Sequence, residues 1–355
     1  MWPSTFCAWL ILARVWVFIP LPARSMQPPD QNMTEMTQMF QDFMIQYNKS
    51  YKSPEEMHHR FKVFEQNLKA SRELQASELG TAQYGVTQFS DLTESEFKTM
   101  FGIPQPIEPP IVNRLAKSPK AQNPPSSCDW RKFGAITEVK KQGSCRSCWA
   151  FAAASNIEAL WNIHRHSPRN VSVQELVDCT SHGCSGGYVW DAFLTVINRS
   201  GLSSSKLYPY AGKDQRCQQY RRRQVTGIEG YEILPREERD LAEIVASQGP
   251  ITVLFNMKAL QQYKNGVIWR TSQDCSKEHL DHFALVVGYG QVPKQHESPA
   301  KQYWIIQNSW GKRWGEKGYF RLHRGDNTCG VAMFAVTAVV KNLGARSEAR
   351  VLCPR

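Results

Sequence analysis

The chain has 355 residues, 41% of them hydrophobic, with a formal charge of +11 and a pI near 9.2. That is long and apolar enough for a substantial core and more than one folded unit, which excludes a disordered chain. The basic excess invites an acidic partner, but Arg221-Arg222-Arg223 has no aromatic-interleaved basic helix or nucleic-acid motif beside it, so it reads as a solvated loop and no nucleic-acid partner is expected.

Residues 6–13 and 15–21 are apolar and lead into Pro22-Ala23-Arg24-Ser25. This reads as a signal peptide over residues 1–25, with an uncleaved anchor as the alternative because Arg14 interrupts the apolar run. No later stretch approaches the ~20 apolar residues of a membrane span, so a soluble mature protein is expected. Of ten cysteines only Cys7 lies in the leader, and the other nine enter an oxidising compartment. Nine is odd, so at least one thiol stays free or pairs outside the chain. Sequons at Asn32, Asn48, Asn170 and Asn198 fit a glycosylated secretory protein. No cofactor or metal is expected.

Residues 33–100 are rich in helix formers, with Phe61, Phe64 and Leu68 at helical spacing. Glu56, Arg60, Phe64 and Asn67 recur at i, i+4, i+8 and i+11; taken alone, such charges form a solvated helix face. Prolines cluster between residues 103 and 125 and periodicity stops, which marks a linker where processing is expected.

Beyond it, the glycine-containing turn Gln142-Gly143-Ser144-Cys145-Arg146-Ser147 runs into Cys148, and Ala153, Ile157 and Leu160 follow at i, i+4, i+7 spacing. Cys148 therefore sits in the first turn of a helix, where unpaired N–H groups and the positive end of the macrodipole favour thiolate and pull the pKa from ~8.5 towards neutrality. Ser172-Val173-Gln174-Glu175 is a capping box opening a helix that ends at Cys179, and Trp190, Phe193, Leu194 and Ile197 form the apolar stripe of another. From residue 251 the pattern changes to short β-rich runs at 251–256, 283–289, 303–307, 318–322 and 334–340. Helices followed by strands predict a two-lobed α+β architecture.

Cys145-Arg146-Ser147-Cys148-Trp149, followed in order by Leu280-Asp281-His282 and Gln307-Asn308-Ser309-Trp310-Gly311, resembles papain-like cysteine proteases. One position departs, with Arg146 where that family has glycine. The pro-segment resembles the family's propeptide motifs at Glu56, Arg60, Phe64 and Asn67, then departs at Ser71 and Gln75; residues 85–91 resemble the second motif, departing at Thr87.

The resemblance implies a zymogen with an inhibitory propeptide and linker over residues 26–123 and a peptidase domain over 124–355, with a helical left lobe, a β-barrel-like right lobe and a cleft between them. Cys148 would be the nucleophile, His282 the proton carrier, Asn308 its orienting group and Gln142 an oxyanion donor, with Trp310 shielding the His282–Asn308 bond from water. Gly186 and Gly187 would form the substrate-pairing edge, and Trp190, Leu254, Phe283 and Phe334 would line a small or partly blocked pocket for the second residue before the cut. The implied disulfides are Cys145–Cys184, Cys179–Cys217 and Cys275–Cys329. Cys128 and Cys353 are left over, and arithmetic allows a fourth bridge.

The partners implied are peptide or protein substrates and the chain's own propeptide, in a monomer residing in the endoplasmic reticulum or endolysosomal lumen, or secreted. The bulk of Arg146 is expected to narrow the approach of a substrate carbonyl. A protease-fold protein with weak or no turnover, acting by binding, stays open on that account, as does disulfide exchange through Cys145-Arg146-Ser147-Cys148. Arg324-Gly325-Asp326 resembles an integrin-binding tripeptide but reads as a turn before Cys329.

Overall fold

In the computed structural model the described residues are 31–104, 116, 124–218, 226–292, 302–340 and 353–354. The leader, most of the proline-rich linker, Arg221-Arg222-Arg223 and residues 293–301 of the polar loop lie outside them.

The amino-terminal unit is built on α1 (Gln31–Tyr47) and α2 (Pro54–Ala76). Both carry aromatic residues at helical spacing, so the helices cross through rings: Phe64, fully buried, lies 5.3 Å from Phe40 and 5.1 Å from Phe43. Ser53 caps α2 by accepting from the Glu56 amide, with Pro54 at the first helical position where its missing N–H costs nothing. A complete capping box between Thr93 and Glu96 opens α3 (Glu94–Phe101).

The polar row of α2 is not a solvated face. Arg60 donates to Glu96 at 2.8 Å and to the Asp91 carbonyl at 3.0 Å. The buried Asn67 amide donates to the carbonyls of Ser90 and Leu92 at 2.8 Å each. The row therefore ties α2 to the turn that precedes α3, and Gln75 extends the tie by bonding Ala82 and Tyr84. Next, β1 (Gln83–Tyr84) pairs antiparallel with Tyr263 and Asn265, stitching this unit to the rest of the chain.

After the linker come β2 (Cys128–Asp129) and the helical lobe: α4 (Cys148–Arg165), α5 (Val173–Cys179) and α6 (Val189–Asn198). Helix α4 is buried along most of its length, Ala153, Ile157 and Leu160 included. Ser172 caps α5, but the Glu175 carboxylate turns away from the cap to accept from Ser203 and Arg199, so only half of the expected capping box forms. In α6 the buried side is Val189, Trp190, Phe193 and Val196, while Leu194 is exposed; the stripe runs one residue off the expected one because the lobe packs on that side.

The second lobe is one eight-stranded sheet. Its strands are β2, β3 (Gly230–Ile233), β4 (Ile251–Phe255), β6 (Val267–Ile268), β7 (His282–Gln291), β8 (Gln302–Gln307), β9 (Tyr319–His323) and β10 (Phe334–Val339); α7 (Glu238–Ser247) precedes β4, and β5 (Tyr263–Asn265) pairs with β1 instead. The order is β3-β10-β4-β7-β8-β9-β6, with β2 against β7. Among the described residues β3 and β6 do not meet, so the sheet curls without closing into a barrel. Strand β7 is buried from His282 to Gly290 because α4 and α7 pack against it, which explains its continuous apolar run. Disulfides join Cys128–Cys353, Cys145–Cys184, Cys179–Cys217 and Cys275–Cys329.

Removing the Asn67 amide leaves the Ser90 carbonyl without its donor, while the Leu92 carbonyl keeps Gln261 Nε2 at 2.8 Å, so Asn67→Ala should destabilise the amino-terminal unit by about 1–2 kcal/mol, seen as faster trypsin cleavage within residues 31–104 at unchanged melting of the remaining domain. The Arg60 guanidinium holds the Glu96 carboxyl down at about 2 from an ordinary 4.5. A lowered carboxyl pKa contributes stability that is complete above the ordinary value and lost as pH falls through the lowered one. Detachment of this unit, which carries no tryptophan of its own and is read through the fluorescence of the Trp310 it packs against, should therefore set in below about pH 4.5, and Glu96→Gln should flatten that response.

Candidate active site

Cys148 opens α4, and it is the free cysteine among the described residues. The preceding turn is anchored rather than side-chain capped. Cys145 is bridged to Cys184, and Ser147 Oγ pairs at 2.8 Å with the Tyr210 hydroxyl, which donates to the Gln142 carbonyl at 2.7 Å. Gln142 then crosses to the sheet lobe. Its amide donates to Ser309 O at 2.8 Å, its Oε1 accepts from Ser309 Oγ at 2.7 Å, and its Nε2 donates to Cys145 O at 3.0 Å. Tyr210 was invisible to sequence reasoning, since nothing in Tyr208-Pro209-Tyr210 signals a partner more than sixty residues upstream.

His282 begins β7, held in register opposite Phe255 of β4. Its Nε2 lies 2.9 Å from Asn308 Oδ1, which also accepts from the Ser309 amide. The Trp310 ring sits 4.9 Å from the imidazole and covers that bond. Trp190, Phe283 and Phe334 gather edge to face with centroids 5.2–6.4 Å apart, and both phenylalanines pair with Leu254 across neighbouring strands.

The amino-terminal unit runs straight through this site. Phe89, Phe97 and Phe101 close on Trp310 at 5.3–5.5 Å. Phe101 O then meets His282 Nδ1 at 3.1 Å, Gly102 O accepts from Arg146 Nε at 2.8 Å, and Ile103 N donates to Asp281 O at 2.8 Å. Two glycines make the close fit possible. A Cβ on Gly102 would come within 2.8 Å of Lys98 O, and one on Gly186, already at φ +92°, within 2.6 Å of Pro104. Arg146 does not bar the propeptide: the chain passes beside it, and Gly102 O accepts a hydrogen bond from it. The pairing of Cys145 with Cys184 removes the partner that a Cys145–Cys148 exchange site would need. In the Arg324-Gly325-Asp326 turn, the Asp326 carboxylate is taken by Trp269 and Thr328.

Covered in this way, Cys148 and His282 are fully buried. Burial pushes the thiol up to about 12, outweighing the Phe283 and Trp149 backbone amides that favour thiolate. Burial likewise holds the imidazole down to about 4 against its bonds to Asn308 and Phe101. The helix start sequence reasoning relied on is present, but desolvation wins while the cover is on.

A papain family cysteine protease model matches residues 124–339, and a cathepsin propeptide inhibitor domain (I29) model matches residues 40–97. The chain belongs to the papain family of cysteine proteases. It is 44% identical to cathepsin W of Mus musculus over 90% of this chain and 91% of that one, and 46% identical to cathepsin W of Felis catus over 88% and 89%. The solved structure of digestive procathepsin L2 from Tenebrio molitor larval midgut superposes with a TM-score of 0.77 at 32% identity, covering 86% of this chain and all of that one. The chain is thus a papain-like cysteine endopeptidase zymogen with the family's two-lobed α+β fold, and the unit in its cleft is a propeptide.

Because the thiol is neutral and buried beneath this propeptide, iodoacetamide at pH 6–7 should alkylate Cys148 at least ~100-fold faster after processing than before. Mass spectrometry of the Cys148 peptide in both forms measures this.

Proposed function

We propose that the mature peptidase spans residues 124–355, is released by cleavage in the linker after residues 26–123, and cuts peptide bonds with Cys148, His282, Asn308 and Gln142. The observation that carries this reading is that the free thiol at the start of α4 is bonded by the backbone of Phe283, the residue that follows His282 of the 2.9 Å His282–Asn308 pair beneath Trp310. When the propeptide leaves, water re-enters the cleft and the desolvation that kept both groups neutral is lifted. The proton then moves from Sγ to the imidazole, giving a thiolate at the helix N-terminus and an imidazolium facing Asn308 Oδ1. The thiolate attacks the scissile carbonyl, the Cys148 amide and the second N–H of Gln142 Nε2 bond the oxyanion, and His282 gives its proton to the leaving amine. Water, deprotonated by His282, then releases the acyl group. Asn308 holds the imidazole in one orientation throughout.

Gly186 and Gly187 leave a backbone edge to which an extended substrate pairs. Trp190, Leu254, Phe283 and Phe334 form the pocket for the second residue before the cut, and the packing of three rings there favours small side chains. That the propeptide passes beside Arg146 supports a cleft able to hold a peptide chain there. The protein acts as a monomer in the secretory pathway, in the endoplasmic reticulum or endolysosomal lumen. The four disulfides and the exposure of Asn48, Asn170 and Asn198 support that setting; no helix among the described residues is long and apolar enough to cross a membrane.

Cys148→Ala should abolish turnover of a peptide library by the processed chain, and His282→Ala should lower it by about 10³-fold or more. Appreciable hydrolysis by Cys148→Ala would overturn the mechanism. Added in trans at micromolar concentration, the isolated propeptide should inhibit the processed enzyme.

A further inference from the structure

We infer that Arg146 is a specificity-determining residue that selects substrates with a carboxylate side chain next to the scissile bond. The inference rests on the peptidase reading above and adds a substrate class to it. Arg146 lies two positions before the nucleophile, with its amide 3.4 Å from the Cys184 carbonyl and its neighbour Cys145 bridged to Cys184, so the base of the side chain is fixed. Its guanidinium already grips an oxygen of the chain in the cleft, donating from Nε to Gly102 O at 2.8 Å. The adjacent carbonyl, Phe101 O, is the one that meets His282 Nδ1. The reach of Arg146 is thus one residue from the atoms at the imidazole.

The two terminal nitrogens of this guanidinium have no partner among the described residues, while an arginine fork is shaped to take both oxygens of a carboxylate. The recess around it, about 270 Å³, is lined by Lys98, Lys258, His279 and Asp281 as well as Arg146. Asp281 makes no ion pair with Arg146 among the described residues, and its Oδ1 accepts from the Met257 amide at 2.9 Å. Once the propeptide leaves with Lys98, Thr99, Gly102 and Ile103, the recess opens and Arg146 and Lys258 remain on the mature wall against Asp281. Such a recess attracts an anionic side chain, and the arginine supplies the directed bonds.

The test uses the processed chain and peptide pairs identical but for Glu against Gln, or Asp against Asn, at each position flanking the cut. At low salt the acid should exceed the amide in kcat/KM by about 10-fold or more at one of those positions. The ratio should decay with added salt, and vanish below about pH 4 as the substrate carboxyl protonates. Arg146→Gln should bring the ratio to about one, and Arg146→Lys should keep part of it. A wild-type ratio at or below one, or the same ratio in Arg146→Gln, overturns the inference and leaves the peptidase reading standing. If the variants do not fold, the salt and pH dependence of the wild-type ratio decides: a ratio insensitive to both overturns it. Failure to cut any peptide, with Cys148 left unmodified by a peptidyl thiol trap, removes the peptidase reading and this inference together.

Discussion

Three propeptide phenylalanines, Phe89, Phe97 and Phe101, close around Trp310 with centroids 5.3–5.5 Å away, and Trp310 in turn covers the His282 ring at 4.9 Å. Each such aromatic contact is worth about 0.5–1.5 kcal/mol beyond the area it buries. Their joint effect is to exclude water from the His282 imidazole. Everything else about the latent state follows from that dry contact. It brings Phe101 O to His282 Nδ1, delivers Gly102 to Arg146, and sets Ile103 and Pro104 along the cleft.

The same side chains thereby carry two electrostatic states. Under the cover, burial pushes the thiol up to about 12 and the imidazole down to about 4, so that both charged forms are disfavoured. In the proposed mechanism, the helix N-terminus and Asn308 favour the charged pair once the cover is gone. The proton is shared between the two groups either way, so across neutral pH latency depends on burial rather than on titration of the pair. Acid acts elsewhere, on carboxylates such as Glu96 that hold the propeptide helices together. The lobes themselves are joined at the site by Gln142, whose backbone and side chain both bond Ser309 while Tyr210 fastens the turn behind it.

Arg146 shows how far a residue's meaning depends on what lies opposite it. Beside a nucleophile, a long cationic chain in place of glycine reads as bulk. With an extended backbone in the cleft, it becomes a hydrogen-bond donor to that backbone. The conflict between sequence and structure lay in direction, since residue type predicts reach and charge but not where the guanidinium points.

By itself the sequence determined what local spacing can carry: the start of α4 at Cys148, the cap at Ser172, and the main strands of the second lobe. Matched against a known family, it also determined the order of cysteine, histidine and asparagine. These are properties of a few contiguous residues, set by helix period, strand alternation and cap chemistry. Only the tertiary structure decided the rest. The polar row of α2 became a scaffold instead of a solvated face because the turn carrying Ser90, Asp91 and Leu92 folds back onto it. Leu194 came out exposed and Val189 and Val196 buried because the packing partner, not the period, chooses the side of α6. The sheet stayed open, and Cys148 is pushed up to about 12 instead of towards neutrality, because edge pairing and burial depend on segments far apart in the chain. Desolvation is set by everything that surrounds a group, and no local pattern encodes it.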